Sequence, residues 1–269
     1  METVTTEPRG RATAPVLLAC SEMIDEIFIP RTRIWGILCV CALGFLIGQL
    51  IAQLGDGAGV ALTHYVGGVQ GLSHASRQPW WASTIGLLGI WIGLMGATFW
   101  TMRSAMLSAL PPSSWKPRFI DLGYLAMGIV AQLLVDAAYA PFHISGLNGP
   151  VQRMFGATHG LTFALLAVLT AFGAPVVEKR FFRATLFRGL REGLVQQSPR
   201  AGTASAVVGS ALLFGLAHGE LVQLPGLFAL GCVLAVVFQR TQRLTASVSV
   251  HVGFNLLAVG TLIFQRAHV

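Results

Sequence analysis

The sequence contains few charged residues and even fewer acidic ones. Asp, Glu, Lys and Arg make up only 11% of the 269 residues, whereas hydrophobic residues make up 54%. Soluble domains carry roughly one quarter charged residues. The composition therefore argues against a water-soluble domain, and a lipid bilayer is the expected solvent.

Cysteine is also scarce, and its spacing excludes two classes of site. The four cysteines show no C-x-x-C spacing of the kind that binds metals, and three lie in or beside long apolar stretches. We expect buried, inert thiols rather than a disulfide framework or a redox centre. These residues are Cys20, Cys39, Cys41 and Cys232.

Long apolar stretches dominate the chain, and several reach the roughly 20 residues that cross a bilayer as a helix. They predict an all-α polytopic membrane bundle of about seven to eight helices, in which residues 1–33 form a cytoplasmic N-terminal segment and residues 34–269 the membrane domain. The sixth stretch is short, so a tilted, re-entrant or protein-shielded helix stays open there. The seven stretches are 34–54, 83–102, 119–141, 160–177, 203–222, 225–238 and 244–264.

Lys and Arg are unevenly distributed between the connecting segments, although the formal charge of +7 alone would suggest an acidic partner. In a membrane protein their location indicates orientation, because cytoplasmic loops are enriched in them. A seven-span chain then has a cytoplasmic N-terminus and an external C-terminus, and nucleic acid is not an expected partner. One side carries Arg9, Arg11, Arg31, Arg33, Arg103, Lys116, Arg118, the basic residues of 179–200, Arg240 and Arg243, and the other only Arg77, Arg153 and Arg266.

The second half of the chain places polar residues inside apolar segments, where each is costly and needs a reason. Glu178 follows a break at Gly173 and Pro175, and its apolar surroundings disfavour ionisation or require a partner. Two later segments each carry a pair spaced i and i+4, which places both members on one helix face. These pairs are Phe214 with His218 and His251 with Asn255.

Each of these residues alone has an ordinary structural explanation. A histidine inside a span can bond a backbone group, an asparagine can bridge helices, and a glutamate at a basic helix end can form an interfacial ion pair. Together they offer a base, a partner for it and donors for an oxyanion. That set is sufficient to hydrolyse an amide.

The three motifs resemble the CPBP intramembrane proteases, which include the type II CAAX prenyl endopeptidases and bacterial bacteriocin-processing and immunity-associated relatives. The family pattern is E-E-x-x-x-R, then F-x-x-x-H, then H-x-x-x-N or D. This sequence matches it in order, from about residue 160 to residue 269. The matching residues are Glu178 and Arg183, Phe214 and His218, and His251 and Asn255.

Lys179 departs from that pattern, because it occupies the position of the second glutamate. A glutamate there would pair with Arg183 at i+4, whereas Lys179 makes a like-charge contact with it. We therefore expect Arg183 to find another acid or a carbonyl, with Asp136 and Glu220 as candidates. The first glutamate, Glu178, is retained.

The resemblance implies that Glu178, assisted by His218, activates a water that attacks a peptide carbonyl. It further implies that His251 and Asn255 stabilise the oxyanion, with Arg183, Phe214 and Lys179 in support. No cofactor is implied, although two histidines and a glutamate leave a catalytic zinc site as an alternative. The expected partners are the lipid bilayer and a protein or peptide substrate at the membrane, which we expect to be a bacterial cytoplasmic membrane.

One geometric difficulty accompanies this interpretation. With the predicted stretches, His218 lies deep in its span whereas Glu178 lies at an inner end, and the two must meet for catalysis. A fourth span shifted toward the C-terminus would place Glu178 well inside the membrane. The rival interpretation is a non-catalytic membrane protein of the same family that acts in immunity, scaffolding or assembly, with Lys179 as the sign of lost activity.

Overall fold

The computed structural model describes residues 14–67, 79–143, 147, 151, 154–155, 158–195 and 198–267. Over these residues the protein is a bundle of helices without strands, as the sequence predicts. Two short 3-10 turns, Pro112–Trp115 and Ala140–Phe142, flank the third helix. The helices are α1 (Ala14–Gly67), α2 (Trp80–Arg103), α3 (Asp121–Tyr139), α4 (Gly160–Leu194), α5 (Pro199–Leu216), α6 (Leu224–Thr241) and α7 (Leu244–Ala267).

Six of these helices, all except α5, are long and apolar enough to cross a membrane. The predicted stretch 203–222 is wrong at both ends, because α5 begins at Pro199 and ends at Leu216. Its first turns contain Arg200, Gly202 and Thr203, which lower its hydropathy. The short stretch 225–238 corresponds to α6, an 18-residue helix that does reach spanning length. The orientation of the two chain ends stays a prediction.

Helix α1 is continuous over 54 residues, so the segment before residue 34 is the start of this helix in its described part. The portion suited to the membrane is Arg33–Gly59. Helix α2 packs along it through glycines spaced four residues apart on both helices, Gly44 and Gly48 on α1 and Gly89 and Gly93 on α2. A Cβ at any of the four would meet the partner helix closer than 3.4 Å. Such small residues let the backbones of membrane helices approach closely.

Helices α3 and α7 cross in the same manner. A Cβ at Gly128 would overlap the carbonyl oxygen of Val250, and one at Gly253 would overlap the carbonyl oxygen of Leu125. Beyond this crossing, α3 turns most of its large side chains outward, as expected for a helix that faces lipid. The position of α7 against the bundle therefore depends on two glycines.

Helix α4 lies antiparallel to α7 and carries two stretches of wider π-type helix, Leu169–Gly173 and Arg180–Phe187. The contacts run in opposite directions along the two helices, because Glu178 meets His251 and the carbonyl of Thr170 meets Asn255. Just before α4, the carbonyl of Thr158 meets Arg266. The fourth span is also longer than predicted, with 35 residues instead of 18. Glu178 is consequently near its middle, which removes the depth difficulty for this residue.

The core around the middle of α4 is built from aromatic and aliphatic side chains of four helices. Phe182 and Phe214 meet edge to face, with ring centroids 5.2 Å apart. Leu230 and Leu234 of α6 and Val250 of α7 complete the packing. This apolar surround is the environment in which the polar motif residues are held.

Candidate active site

Glu178 is at the centre of a group of three ionisable side chains. Its Oε2 atom lies 3.6 Å from Nδ1 of His251 and 3.6 Å from Nζ of Lys179. The Glu178 side chain is 15% exposed, whereas Lys179 is fully buried and the His251 side chain is 4% exposed. All three named atoms are buried and have no hydrogen-bond partner among the described residues. Buried polar atoms are rarely left in this way, so the group is expected to interact with a further polar molecule.

The ring of Phe214 contacts the charged and imidazole side chains of the site. Nζ of Lys179 lies 4.3 Å from the ring centroid, and Cζ of Arg183 lies 5.6 Å from it. The rings of His218 and His251 contact it at centroid distances of 4.8 and 5.7 Å. A desolvated aromatic face attracts cations, so Phe214 partly compensates for the like charges that Lys179 and Arg183 bring together.

Arg183 does not pair with either acid that the sequence suggested. Its Nη1 donates to Oγ of Ser210 at 3.2 Å, and its Nη2 donates to the carbonyl oxygen of Gly231 at 3.0 Å. The prediction of a carbonyl partner is thus correct and that of an acid is wrong. Asp136 instead accepts from Gln132 on its own helix, at 2.7 Å. Arg183 is completely buried and joins α4 to α5 and α6.

His218 lies beyond the last residue of α5 and is exposed. Its Nδ1 lies 2.8 Å from the carbonyl oxygen of Phe214. Because a carbonyl oxygen only accepts, this nitrogen carries the hydrogen, and Nε2 is the nitrogen left for other contacts. No ion pair or hydrogen bond joins His218 to Glu178 in the described part of the chain. The structure therefore brings His218 to the shared ring of Phe214 but not to Glu178 itself.

Asn255 is one turn beyond His251 on α7, and its amide is already engaged. Nδ2 donates to the carbonyl oxygen of Thr170 at 2.9 Å. That carbonyl belongs to the first π-type stretch of α4, two turns before Glu178. Asn255 is thus placed beside α4, and its contact is with the backbone.

The donor set gives little support to the zinc alternative. The described residues contain no group of three or more His, Cys, Asp or Glu side chains arranged to hold a metal ion. The ammonium group of Lys179 also lies beside the same Glu178 oxygen that a metal would need. A second cation there would be repelled. What the group provides is an acceptor oxygen next to two nitrogen donors, an arrangement that can bind and polarise a water.

Comparison with known families identifies the segment that carries this site. Residues 158–257 match the family model described as "Type II CAAX prenyl endopeptidase Rce1-like". This part of the chain is similar to the Rce1-like family. No curated protein and no solved structure matches the chain. The match confirms the family predicted from the motifs, which is a family of CAAX-type proteases.

The Rce1-like segment runs from just before α4 to the middle of α7 and contains every motif residue. The roles of these residues stay predictions. Sequence reasoning missed two groups that complete the surroundings, the hydroxyl of Ser210 and the carbonyl of Gly231. The serine lies four residues before Phe214 on α5, so its position on the same helix face was the available signal. The Gly231 carbonyl left no signal, because any residue has one.

Proposed function

We propose that this protein is an intramembrane endopeptidase of the CAAX type that hydrolyses a peptide bond of a membrane-associated protein. The observation that carries the proposal is the 3.6 Å approach of Glu178 Oε2 to both His251 Nδ1 and Lys179 Nζ. None of these three atoms has a hydrogen-bond partner in the part of the chain that the structure describes. Preorganised donors act strongly in such apolar surroundings, so this group can bind and polarise a water.

In the proposed reaction, a water bound at Glu178 attacks the carbonyl carbon of the substrate peptide. Its proton passes to the carboxylate as the new C–O bond forms, and the carbonyl oxygen becomes an oxyanion. We assign the stabilisation of this oxyanion to His251 and Lys179, the two nitrogen groups nearest to Glu178. When the C–N bond breaks, Glu178 returns the proton to the leaving amine nitrogen, so no covalent intermediate is needed.

We assign His218 an assisting role at the edge of the site. Its Nδ1 is held by the Phe214 carbonyl, so Nε2 faces away from that bond and is exposed. From this place His218 can accept a hydrogen bond from the incoming water or donate one to the substrate when protonated. No ion pair or hydrogen bond joins His218 to Glu178 within the described ranges, so substrate binding would have to bring the two side chains together.

The test is a comparison of membrane proteins from cells that produce the wild-type protein or the Glu178→Gln variant. We expect at least one fragment to disappear with Glu178→Gln, because the amide cannot accept the proton of the water. Glu192→Gln is the matched control, since Glu192 is on the same helix, is 49% exposed and pairs with Arg188 at 3.5 Å. Identical fragments from wild type and Glu178→Gln would refute the assigned role.

A second candidate function is a non-catalytic membrane protein of the same family, and the observation that favours it is the position of Lys179. Its buried Nζ lies 3.6 Å from Glu178 Oε2, so an ion pair with Lys179 can occupy the carboxylate oxygen that the reaction needs. If the site has been silenced in this way, Lys179→Glu should create cleavage that the wild-type protein lacks. Cleavage by the wild type that Lys179→Glu abolishes would instead support the peptidase.

A further inference from the structure

Pro175 leaves one backbone carbonyl of α4 without its helical partner. At the end of the stretch Leu169–Gly173, the N–H of Ala174 donates to the carbonyl oxygen of Leu169, five residues back. The next bond of this register would run from residue 175 to the carbonyl of Thr170. Proline has no N–H, so this bond cannot form, and Ala174 is already engaged. A bare carbonyl inside a membrane protein is costly.

The side chain of Asn255 supplies the missing donor from another helix. Its Nδ2 lies 2.9 Å from the Thr170 carbonyl oxygen, the acceptor that Pro175 leaves unpaired. The contact joins α7 to the widened turn of α4 one helical turn from His251. A donor is required at this position, because a carbonyl oxygen can only accept.

The widened turn determines which way Glu178 points. A π-type turn contains one residue more than an α turn, and one residue corresponds to about 100° of rotation around a helix axis. Without the widened turn, side chains that follow it would be rotated by that angle, and Glu178 would no longer face His251. The contact between Glu178 and His251 therefore depends on this widened turn. Asn255 supports the turn by donating a hydrogen bond to its Thr170 carbonyl.

We propose that Asn255 is a positioning residue, which replaces the N–H that Pro175 lacks and so keeps Glu178 directed toward His251. The family resemblance gives this residue a different task, donation to the oxyanion. The catalytic value of the positioning rests on the proposed function, but the bond to Thr170 does not. The two roles are separable by experiment.

The first experiment is a thermal-unfolding cycle in detergent with the wild type, Asn255→Ala, Pro175→Ala and the double variant. Asn255→Ala is expected to lower the Tm by about 3 °C. The loss should be less than half as large with Ala at position 175, because its N–H can reach the Thr170 carbonyl. Thr261→Ala is the control on the same helix, since the Thr261 hydroxyl donates to the Ala258 carbonyl oxygen of that helix, and it should leave the Tm unchanged. If Asn255→Ala lowers the Tm equally with Pro and with Ala at position 175, the proposed link between Asn255 and Pro175 is wrong.

The second experiment measures the position of residue 178 without any need for activity. Glu178→Cys and His251→Cys are combined, with the four native cysteines changed to alanine, and treated with a short thiol cross-linker. We expect the two introduced cysteines to cross-link efficiently when Asn255 is present. In the Asn255→Ala background we expect the cross-linking yield to fall at least fivefold. If Asn255→Ala leaves both the cross-linking and the Tm unchanged but abolishes cleavage, Asn255 acts on the reacting atoms and the proposal is wrong. Both measurements remain decisive if the protein proves not to be a peptidase.

Discussion

Replacing Gly128 by alanine adds a single methyl group at the crossing of α3 and α7, and we expect it to separate the two helices. The new Cβ would overlap the Val250 carbonyl oxygen and lie 2.8 Å from the nitrogen of Phe254, whereas ordinary contacts begin at 3.4 Å. Because both neighbours are backbone atoms, no side-chain rotation can relieve the overlap. The helices must move apart by on the order of 1 Å, since packed interiors have no room to absorb the methyl.

The displaced helix carries His251, which directly follows Val250. A misplacement of about 1 Å in an active site can cost about 100-fold in rate, so we expect a loss of this order in cleavage. Overpacking of this kind also costs about 1–3 kcal/mol, which corresponds to a fall in Tm of about 3–10 °C. Cleavage of a substrate identified through Glu178→Gln and thermal unfolding in detergent measure the two effects.

Gly123→Ala is the matched control for this experiment. Gly123 is on the same helix, and a Cβ there would meet nothing within 4 Å. Its replacement should leave cleavage unchanged and keep or slightly raise the Tm, because alanine favours helix more than glycine does. If the Gly128→Ala protein has the same Tm and cleavage rate as the wild type, the close crossing of α3 and α7 is refuted.

The remaining predictions concern the charges of the site. Lys179→Met should lower the cleavage rate at least tenfold by removing a cation next to Glu178, and an unchanged rate would remove Lys179 from the mechanism. Ser210→Ala should lower the Tm by about 3 °C, because Arg183 loses a hydrogen bond. Replacement of the exposed Ser205 by alanine should leave the Tm unchanged, and an equal fall in Tm for both variants would contradict the role of Ser210. A chelator of divalent cations should leave cleavage intact, and inhibition reversed by added zinc would disprove the metal-free reaction.

The sequence alone predicted the helical bundle and the convergence of the motif helices, for physical reasons that are easy to state. Apolar stretches of spanning length indicate membrane helices by themselves. The spacing of His251 and Asn255 placed both on one face, and the structure does turn both toward α4. Such local patterns depend only on helix geometry, so no tertiary information was needed.

The widened turns of α4 could not be predicted, because they depend on partners from distant parts of the chain. Pro175 predicts an interruption of the helix, but it does not indicate whether the helix kinks, ends or forms a π-type turn. The structure contains the π-type turn, and its Thr170 carbonyl accepts a hydrogen bond from Asn255, a residue 85 positions away. The end of the span was misjudged for a related reason, since Glu178 and the basic residues after it suggested a helix end at an interface.

The sequence predicted a carbonyl as one possible partner of Arg183 but could not say which residues would surround the guanidinium group. In the structure a hydroxyl, a carbonyl and the face of Phe214 surround the guanidinium group. Neutral groups of this kind leave no charge pattern in a sequence. Only the packing of α5 and α6 against α4 shows that they are close.

The two π-type stretches of α4 also have a mechanical consequence. They comprise five and eight residues, and the second begins only two residues after Glu178. Helix of this kind is rare and is concentrated at functional sites, and its looser geometry resists bending and twisting less than a regular α-helix does. Amide protons in this part of α4 should therefore exchange with deuterium sooner than those of α3, which would make the helix bearing Glu178 more compliant than α3.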